Sequence, residues 1–416
     1  MTINNRVATF TTQLKCSSIF SCDLHGSDIV AVGGENGFCE VYRLQSSTLQ
    51  RLMTYNAQRV VNAIRFSPNG ELLALGLVGG DVRVVNMKGE RIAERKLHQG
   101  LKKFKVKLAD QTGKKKTSSE TDQKTEKELK MEEHCCDICW KDNSTIISGG
   151  TDEMIYIWKI GSNESFSKIG SECNLSVVFS LCLNPRNGLL IARCSTCLVS
   201  IDPEISQSQQ QIISCFGNRV SLDDNEISKI DSKEREKMNF FVENGFQIRG
   251  ALSPDGLYYL CPSSKSPWNN EGCTLLMDQS LENVLATIIL PKGETSISAI
   301  FCPQIYPLTS KEMRKKSTFP YAKSMYLFAI GTQNSLLIYS SIQMVPITSA
   351  KSNSLIVEMK WGIGQDMFVM GASIDGRLIF VRVPSGPQSD IINEQSKNTS
   401  QPVSETISVK NKEKDP

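Results

Sequence analysis

The chain has 416 residues, 40% of them hydrophobic and 22% charged, which are globular proportions and exclude a chain too polar to fold. A formal charge of +3 excludes a strong long-range pull of the whole molecule on nucleic acid. No uncharged apolar run approaches ~20 residues, so neither a membrane-spanning helix nor a membrane partner is expected.

The N-terminus, MTINNRVATF, has no apolar core of signal-peptide length. Arg6–Gln13 has strand character and precedes the first repeat, so it is expected to supply the outer strand of the last one. From residue 18 a pattern then recurs: an apolar run, a turn, a second apolar run ending in small residues, another turn, a third run. The copies are SIFSCDLHGSDIVAVGGENGFCEVY (18–42), VVNAIRFSPNGELLALGLVGGDVRVV (60–85) and CCDICWKDNSTIISGGTDEMIYIWK (135–159). Fainter ones are VFSLCLNPRNGLLIARCSTCLVSI (178–201) and IRGALSPDGLYYLCPSS (248–264), and IVEMKWGIGQDMFVMGASIDGRLIFVRV (356–383) is clear again. Alternation of apolar and polar residues, broken by Gly, Asn, Asp or Pro, predicts antiparallel strands joined by tight turns.

The first strands end at Leu24, Phe66, Trp140, Leu183, Leu252, Phe301 and Trp361, in steps of 42, 74, 43, 69, 49 and 60 residues. A propeller blade takes ~40–45 residues. Each long step contains an insertion: residues 96–132 are Lys-rich, 203–239 are rich in Ser, Gln and acids, and 304–323 hold TSKEMRKKS. One blade carries the full signature of WD repeats, SGGTDEMIYIWK. There Ser148 ends the second strand, Asp152 lies in the turn and Trp158 on the third strand. WD-repeat proteins join such residues in a hydrogen-bond network with a His before the blade, and His134 is the expected fourth member. The signature is eroded elsewhere, with Asn36 and Tyr42 or Val78 and Val85 in the Asp and Trp places, while Asp375 keeps the turn position. The expected fold is all-β: a seven-bladed WD-repeat β-propeller over residues 1–383, with low-complexity loop insertions and a disordered C-terminal tail over 384–416.

Chemistry is sparse. No phosphate-binding glycine loop and no H-E-x-x-H are present, and there are only three histidines, His25, His98 and His134. Fourteen cysteines scattered among apolar runs point to reduced thiols in the cytosol or nucleus. The C-x-x-C pairs Cys136/Cys139 and Cys194/Cys197 are read as small buried hydrophobes, because residues three apart on a strand face opposite ways and the second pair lies in the next blade. No metal, cofactor or catalytic group is expected. The insertion LKKFKVKLADQTGKKKTSSETDQKTEKELK (101–130) carries ten lysines against five acids. Lys102, Lys103, Lys105, Lys107, Lys114, Lys115 and Lys116 form a candidate nuclear-import or polyanion patch, with a solvated loop as the alternative. Without aromatic interleaving, sequence-specific nucleic-acid binding is not expected.

An ordered set of motifs resembles a known family. VNAIRFSPNGELLALG (61–76), the charged insertion after it, DICW (137–140), NFFVENGFQIRGALSPDGLYYLCPSS (239–264) and YLFAIGTQNSLLIYSSIQMVPI (326–347) occur in order. The chain resembles, from about residue 18 to 383, the middle WD-repeat subunit of chromatin assembly factor 1. The resemblance implies a non-catalytic subunit of a histone chaperone complex in the nucleus, supporting H3–H4 deposition coupled to DNA replication or repair. It also implies a large subunit, a second WD-repeat subunit and H3–H4 histones as partners. Many members dock on the anti-silencing-function histone chaperone through basic motifs beyond the propeller, and this tail has no arginine cluster for that. The alternative is a generic WD-repeat adaptor, such as a ubiquitin-ligase substrate receptor or a ribosome-assembly scaffold.

Overall fold

The computed structural model describes residues 9–14, 17–45, 48–99, 103–106, 127–130, 133–161, 166–169, 175–205, 212–217, 248–265, 272–308, 324–364 and 367–383. Every named element among them is a strand, and 28 of these form seven antiparallel four-stranded sheets, the blades of a propeller. The fold is the seven-bladed WD-repeat β-propeller that the periodicity predicts.

Within a blade the strands follow chain order from the channel outward. In blade 3 these are Cys135–Trp140, Thr145–Gly150, Ile155–Lys159 and Phe166–Ile169. Inner strands open blades 1, 2, 4, 5 and 7 at Ile19–His25, Val61–Phe66, Val178–Leu183, Ala251–Leu252 and Ile356–Gly362. Two faces of each sheet must be covered, and neighbouring blades cover them. Between blades 3 and 4, for example, Ile147 and Ile155 pack with Val178, Leu190 and Val199. Blade 7 is completed by the N-terminus, since Thr9–Gln13 pairs antiparallel with Arg377–Arg382. The ring thus closes through a strand borrowed from the far end of the chain.

The insertions differ in their limits from the sequence reading. Composition makes residues 203–239 one insertion, yet Ile212–Gly217 is the outer strand of blade 4. Its burial alternates weakly, so IISCF between Ser- and Gln-rich flanks gives little signal. Blade 6 begins with Ser296–Pro307, which passes Phe301 through a bulge and takes in the start of the expected 304–323 insertion. Within 96–132, Lys96 ends the outer strand of blade 2, and Lys103–Val106 pairs with Lys127–Lys130 as a two-stranded ribbon. The tail 384–416 lies outside the described residues.

Removing residues 1–13 takes away a five-residue ladder and exposes the edge of blade 7. Each net hydrogen bond contributes about 0.5–1.5 kcal/mol, so the loss should be roughly 2–5 kcal/mol. Chemical denaturation should show a lower midpoint, and an unchanged midpoint would contradict closure by this strand.

Candidate functional site

Blade 3 holds a buried hydrogen-bond network whose histidine is His98, not His134. The His98 ring is fully buried, with Nδ1 2.8 Å from Asp152 Oδ1 and Nε2 3.0 Å from Ser148 Oγ. A carboxylate only accepts, so Nδ1 donates to Asp152 and Nε2 accepts from the Ser148 hydroxyl. Tyr156 Oη donates to Asp152 Oδ2 at 3.2 Å, and the His98 and Tyr156 rings meet edge to face at 4.9 Å. His134 instead donates its backbone N–H to Thr151 Oγ1, and its Nδ1 lies 3.2 Å from the Asn62 amide. The sequence misleads because the insertion sets His98 far from its blade along the chain. In space, Leu97 and His98 are tied back by N–H bonds to the Gly80 carbonyl. Gly150 makes the room, since a Cβ there would fall 2.4 Å from His98 Nδ1.

Trp158 also departs from the expected network. It is buried opposite Ile146 and packs with Val82, Val84, Leu97 and Ile138. Among the described residues no hydrogen bond joins it to Ser148, Asp152 or His98. Its contribution is packing. Where the signature is eroded, other contacts stand in: Tyr42 donates to Glu40 at 2.6 Å in blade 1, and Val85 is fully buried in blade 2.

Nine of the twelve described thiols are buried and the other three are partly buried. Burial pushes Cys136 up to about 12 and Cys139 well above the ordinary thiol value. Cys139 packs between blades 3 and 4, whereas Cys135 packs between blades 2 and 3. Cys194 and Cys197 are both fully buried in blade 4. Among the described residues no three His, Cys, Asp or Glu side chains converge as a metal site.

The densest chemistry lies on the propeller axis, and the sequence reading missed it. Six inner strands carry a register shift just before Ser21, Ala63, Asp137, Ser180, Ser298 and Glu358. Aligning the turns Ser67–Pro68 and Ser253–Pro254 puts Arg249 at the same place in blade 5. Around the channel these seven buried positions read Ser, Ala, Asp, Ser, Arg, Ser, Glu. Four small residues leave the space that the long ones fill. Arg249 reaches across to Asp137 Oδ1 (2.6 Å), to Glu358 Oε2 (3.4 Å) and to the Asn62 carbonyl (3.0 Å). Arg65, two residues along its strand, joins the same carboxylates at 2.6 and 2.8 Å. Lys360 links Glu358 to Asp23 at 3.6 and 2.9 Å.

The carboxylates also hold the next blade around. Asp23 accepts from Phe66 N, Asp137 from Leu181 N and Glu358 from Cys22 N, at 2.7, 2.9 and 3.0 Å. Burial alone would raise the Glu358 carboxyl, but Arg249, Arg65, Lys360 and the Ser21 hydroxyl outweigh it and hold it down at about 2. Burial lowers and these acids raise Arg65, whose guanidinium ends well above its ordinary value. A cavity of about 400 Å³ adjoins the network, lined by Leu183, Leu252, Ile300 and Met359 together with Arg65 and Lys360. With three cations and three carboxylates paired in this axial cluster, the arrangement suits rigid alignment of blades.

The family model described as the anaphase-promoting complex subunit 4 WD40 domain matches residues 25–107. The model described as WD domain, G-beta repeat matches residues 125–159. A relative from Oryza sativa subsp. japonica, "Chromatin assembly factor 1 subunit FAS2 homolog", is 23% identical over 348 residues, 79% of this chain and 63% of that protein. Another, a chromatin assembly factor 1 subunit from Mus musculus, is 23% identical over 345 residues, 79% of this chain and 56% of that protein. The chain therefore spans less than two thirds of either relative's length. The resemblance to the middle WD-repeat subunit of chromatin assembly factor 1, carried by the ordered motifs, is borne out.

His98→Ala should destabilise the fold by about 2–4 kcal/mol, because it strands the buried oxygens of Asp152 and Ser148. His134→Ala should cost under about 1 kcal/mol. Thermal melts of the two variants check the assignment, and equal losses would contradict it.

Glu358 gives a pH signature. Its carboxyl is held below the ordinary 4.5, so its stabilisation is complete above about 4.5 and vanishes as pH falls through about 2. The parent should lose stability on the order of 3 kcal/mol across that window, and Glu358→Gln should show a flatter acid limb from a lower plateau at neutral pH. Arg249→Met, which removes one of the two guanidinium groups shared by buried Asp137 and Glu358, should cost about 3–5 kcal/mol at pH 7. Parallel acid titrations of parent and Glu358→Gln would refute the clamp.

Proposed function

We propose that this propeller is a non-catalytic scaffold subunit of a chromatin assembly factor 1-like histone chaperone complex. In this reading it acts in the nucleus and supports deposition of H3–H4 histones during nucleosome assembly coupled to DNA replication or repair. The observation that carries it is similarity across 79% of the chain to two proteins bearing that complex's name, one from a plant and one from a mammal. The physics of the fold supports the scaffold part. A ring locked by interblade hydrogen bonds and axial ion pairs offers rigid loops, so a partner binds without the cost of ordering them. Its partners would be the large subunit, the second WD-repeat subunit and, directly or through the complex, H3–H4.

Residues 1–383 should bind the large subunit as the full chain does. The tail 384–416 contains no arginine and no aromatic residue, the types that dominate interface hot spots. Affinity capture of the large subunit on each of the two forms is the measurement. Binding to the full chain alone would overturn the propeller as the platform. Recovery of ubiquitin-ligase or ribosome-assembly components in place of histones and the large subunit would replace this reading with the generic adaptor.

A further inference from the structure

The cavity beside the axial network is chemically two-sided. On blades 2 and 7 it is lined by Arg65 and Lys360, and on blades 4, 5 and 6 by Leu183, Leu252 and Ile300. Pro185 and Pro254, in the turns after the inner strands of blades 4 and 5, and Pro303, in the bulge of blade 6, complete that apolar side. Pro185 and Pro303 are exposed, so the cavity opens to solvent at this end of the ring. Its volume of about 400 Å³ lies within the ~300–1,000 Å³ of sites that take small ligands.

The charges beside it are layered. Arg65 and Lys360 are 14% and 20% exposed, whereas Asp137 and Glu358 are 1% and 4% exposed. The third acid, Asp23, lies outside the lining. The charge that reaches the cavity surface is therefore the cationic part of a network whose formal charges balance. The Arg65 fork is already committed: Nη2 meets Asp137 and Glu358, and Nη1 donates to Ser21 Oγ and the Ile64 carbonyl. Lys360 is different. An ammonium has three donors, and of its two carboxylate contacts only that to Asp23, at 2.9 Å, is of hydrogen-bond length. Donor capacity remains there for one incoming acceptor.

These features select a ligand. A phosphate is held best by a planar fork, and the committed Arg65 has none to offer. One carboxylate needs only the Lys360 ammonium, and the apolar side then calls for an apolar group next to that carboxylate. Ser180, Ser253 and Ser298 interrupt the apolar lining, which suits peptide amides better than an unbroken alkyl chain. We propose that this cavity recognises an acidic side chain on a peptide segment of a partner protein. Lys360 receives the carboxylate, and Leu183, Leu252 and Ile300 pack the neighbouring apolar residue. The inference does not rest on the chromatin-assembly reading, because it concerns the isolated chain and a defined probe.

The test is a saturation-transfer NMR titration of the full-length protein with acetyl-Leu-Glu-amide, acetyl-Leu-Gln-amide and acetyl-Leu-Lys-amide. The Glu dipeptide should bind at least about fivefold more tightly than the Gln one, as a charge-assisted hydrogen bond exceeds a neutral one, and the Lys dipeptide should bind most weakly. Lys360→Met should erase the preference for Glu over Gln. Ala251→Leu, which narrows the apolar side and leaves the ion pairs in place, should weaken Glu and Gln dipeptides alike and keep their order. Thermal melts establish that each variant is folded, and if Lys360→Met is not, the Ala251→Leu result decides. Failure of the parent to bind the Glu dipeptide, equal binding of Glu and Gln, a preference that survives in folded Lys360→Met, or unchanged binding by Ala251→Leu overturns the proposal. Binding of octanoate where the Glu dipeptide does not bind would also overturn it, and would assign the cavity to a free alkyl carboxylate.

Discussion

Everything in this molecule depends on seven inner strands meeting around one axis. The positions after each bulge solve that problem. Serines or alanine at four of them let Arg249 cross the channel from blade 5 and touch groups on blades 2, 3 and 7. Side chains 4–5% exposed or less could not carry these charges singly, and the cluster holds both signs within hydrogen-bonding distance. Such a cluster need not make the fold more stable than an apolar plug of the same volume would. It does make the arrangement specific. Asp137 accepts Leu181 N, and Glu358 accepts Cys22 N, only when the next blade stands at one height and one rotation.

Away from the axis the blades are held by different means. Blade 3 uses the His98–Asp152–Ser148 bonds with Tyr156. Blade 1 has Glu40 accepting from Tyr42 and from Arg51 at 3.2 Å. Blade 6 stacks Phe328 on Tyr339, nearly parallel at 5.2 Å between ring centres. A blade needs a buried group of the right volume there. Many residue sets meet that condition, which is why the family signature can erode in six blades while the ring persists.

The repeat was legible because strand periodicity and turn residues are local. The ends of the inner strands at Phe66, Trp140, Leu183 and Leu252 coincide with the expected ones. What stayed hidden depends on contacts between residues remote in sequence. Nothing near Arg249 announces Asp137, 112 residues earlier, and nothing near Ser21 announces Glu358, 337 residues later. Sequence proximity favoured His134, and the insertion had moved the true partner away. The outer strand at Ile212–Gly217 escaped notice because a strand with one solvated face and few residues resembles a polar loop. One signal was available: aligning the Ser-Pro turns of blades 2 and 5 places Arg249 in a column otherwise filled by small or acidic residues.

The long insertions are compatible with so exacting a ring because their ends are pinned. Before the Lys-rich segment, Leu97 and His98 bond to Gly80; after it, Gly79 N donates to Glu133 O at 2.6 Å, and His134 N to Thr151. After residues 218–247, Arg249 N donates to Ile297 O, and Pro307 pairs with Ser324 across residues 308–323. Once the ends are fixed by the blades, closure entropy grows only with the logarithm of loop length, about 0.6 kcal/mol for each doubling. A loop three times longer thus costs about 1 kcal/mol, comparable with one net hydrogen bond. The residues that knit the ring, His98 and Arg249, stand at the very mouths of two insertions. Length and charge can therefore accumulate in those loops while the pinned residues keep the blades in register.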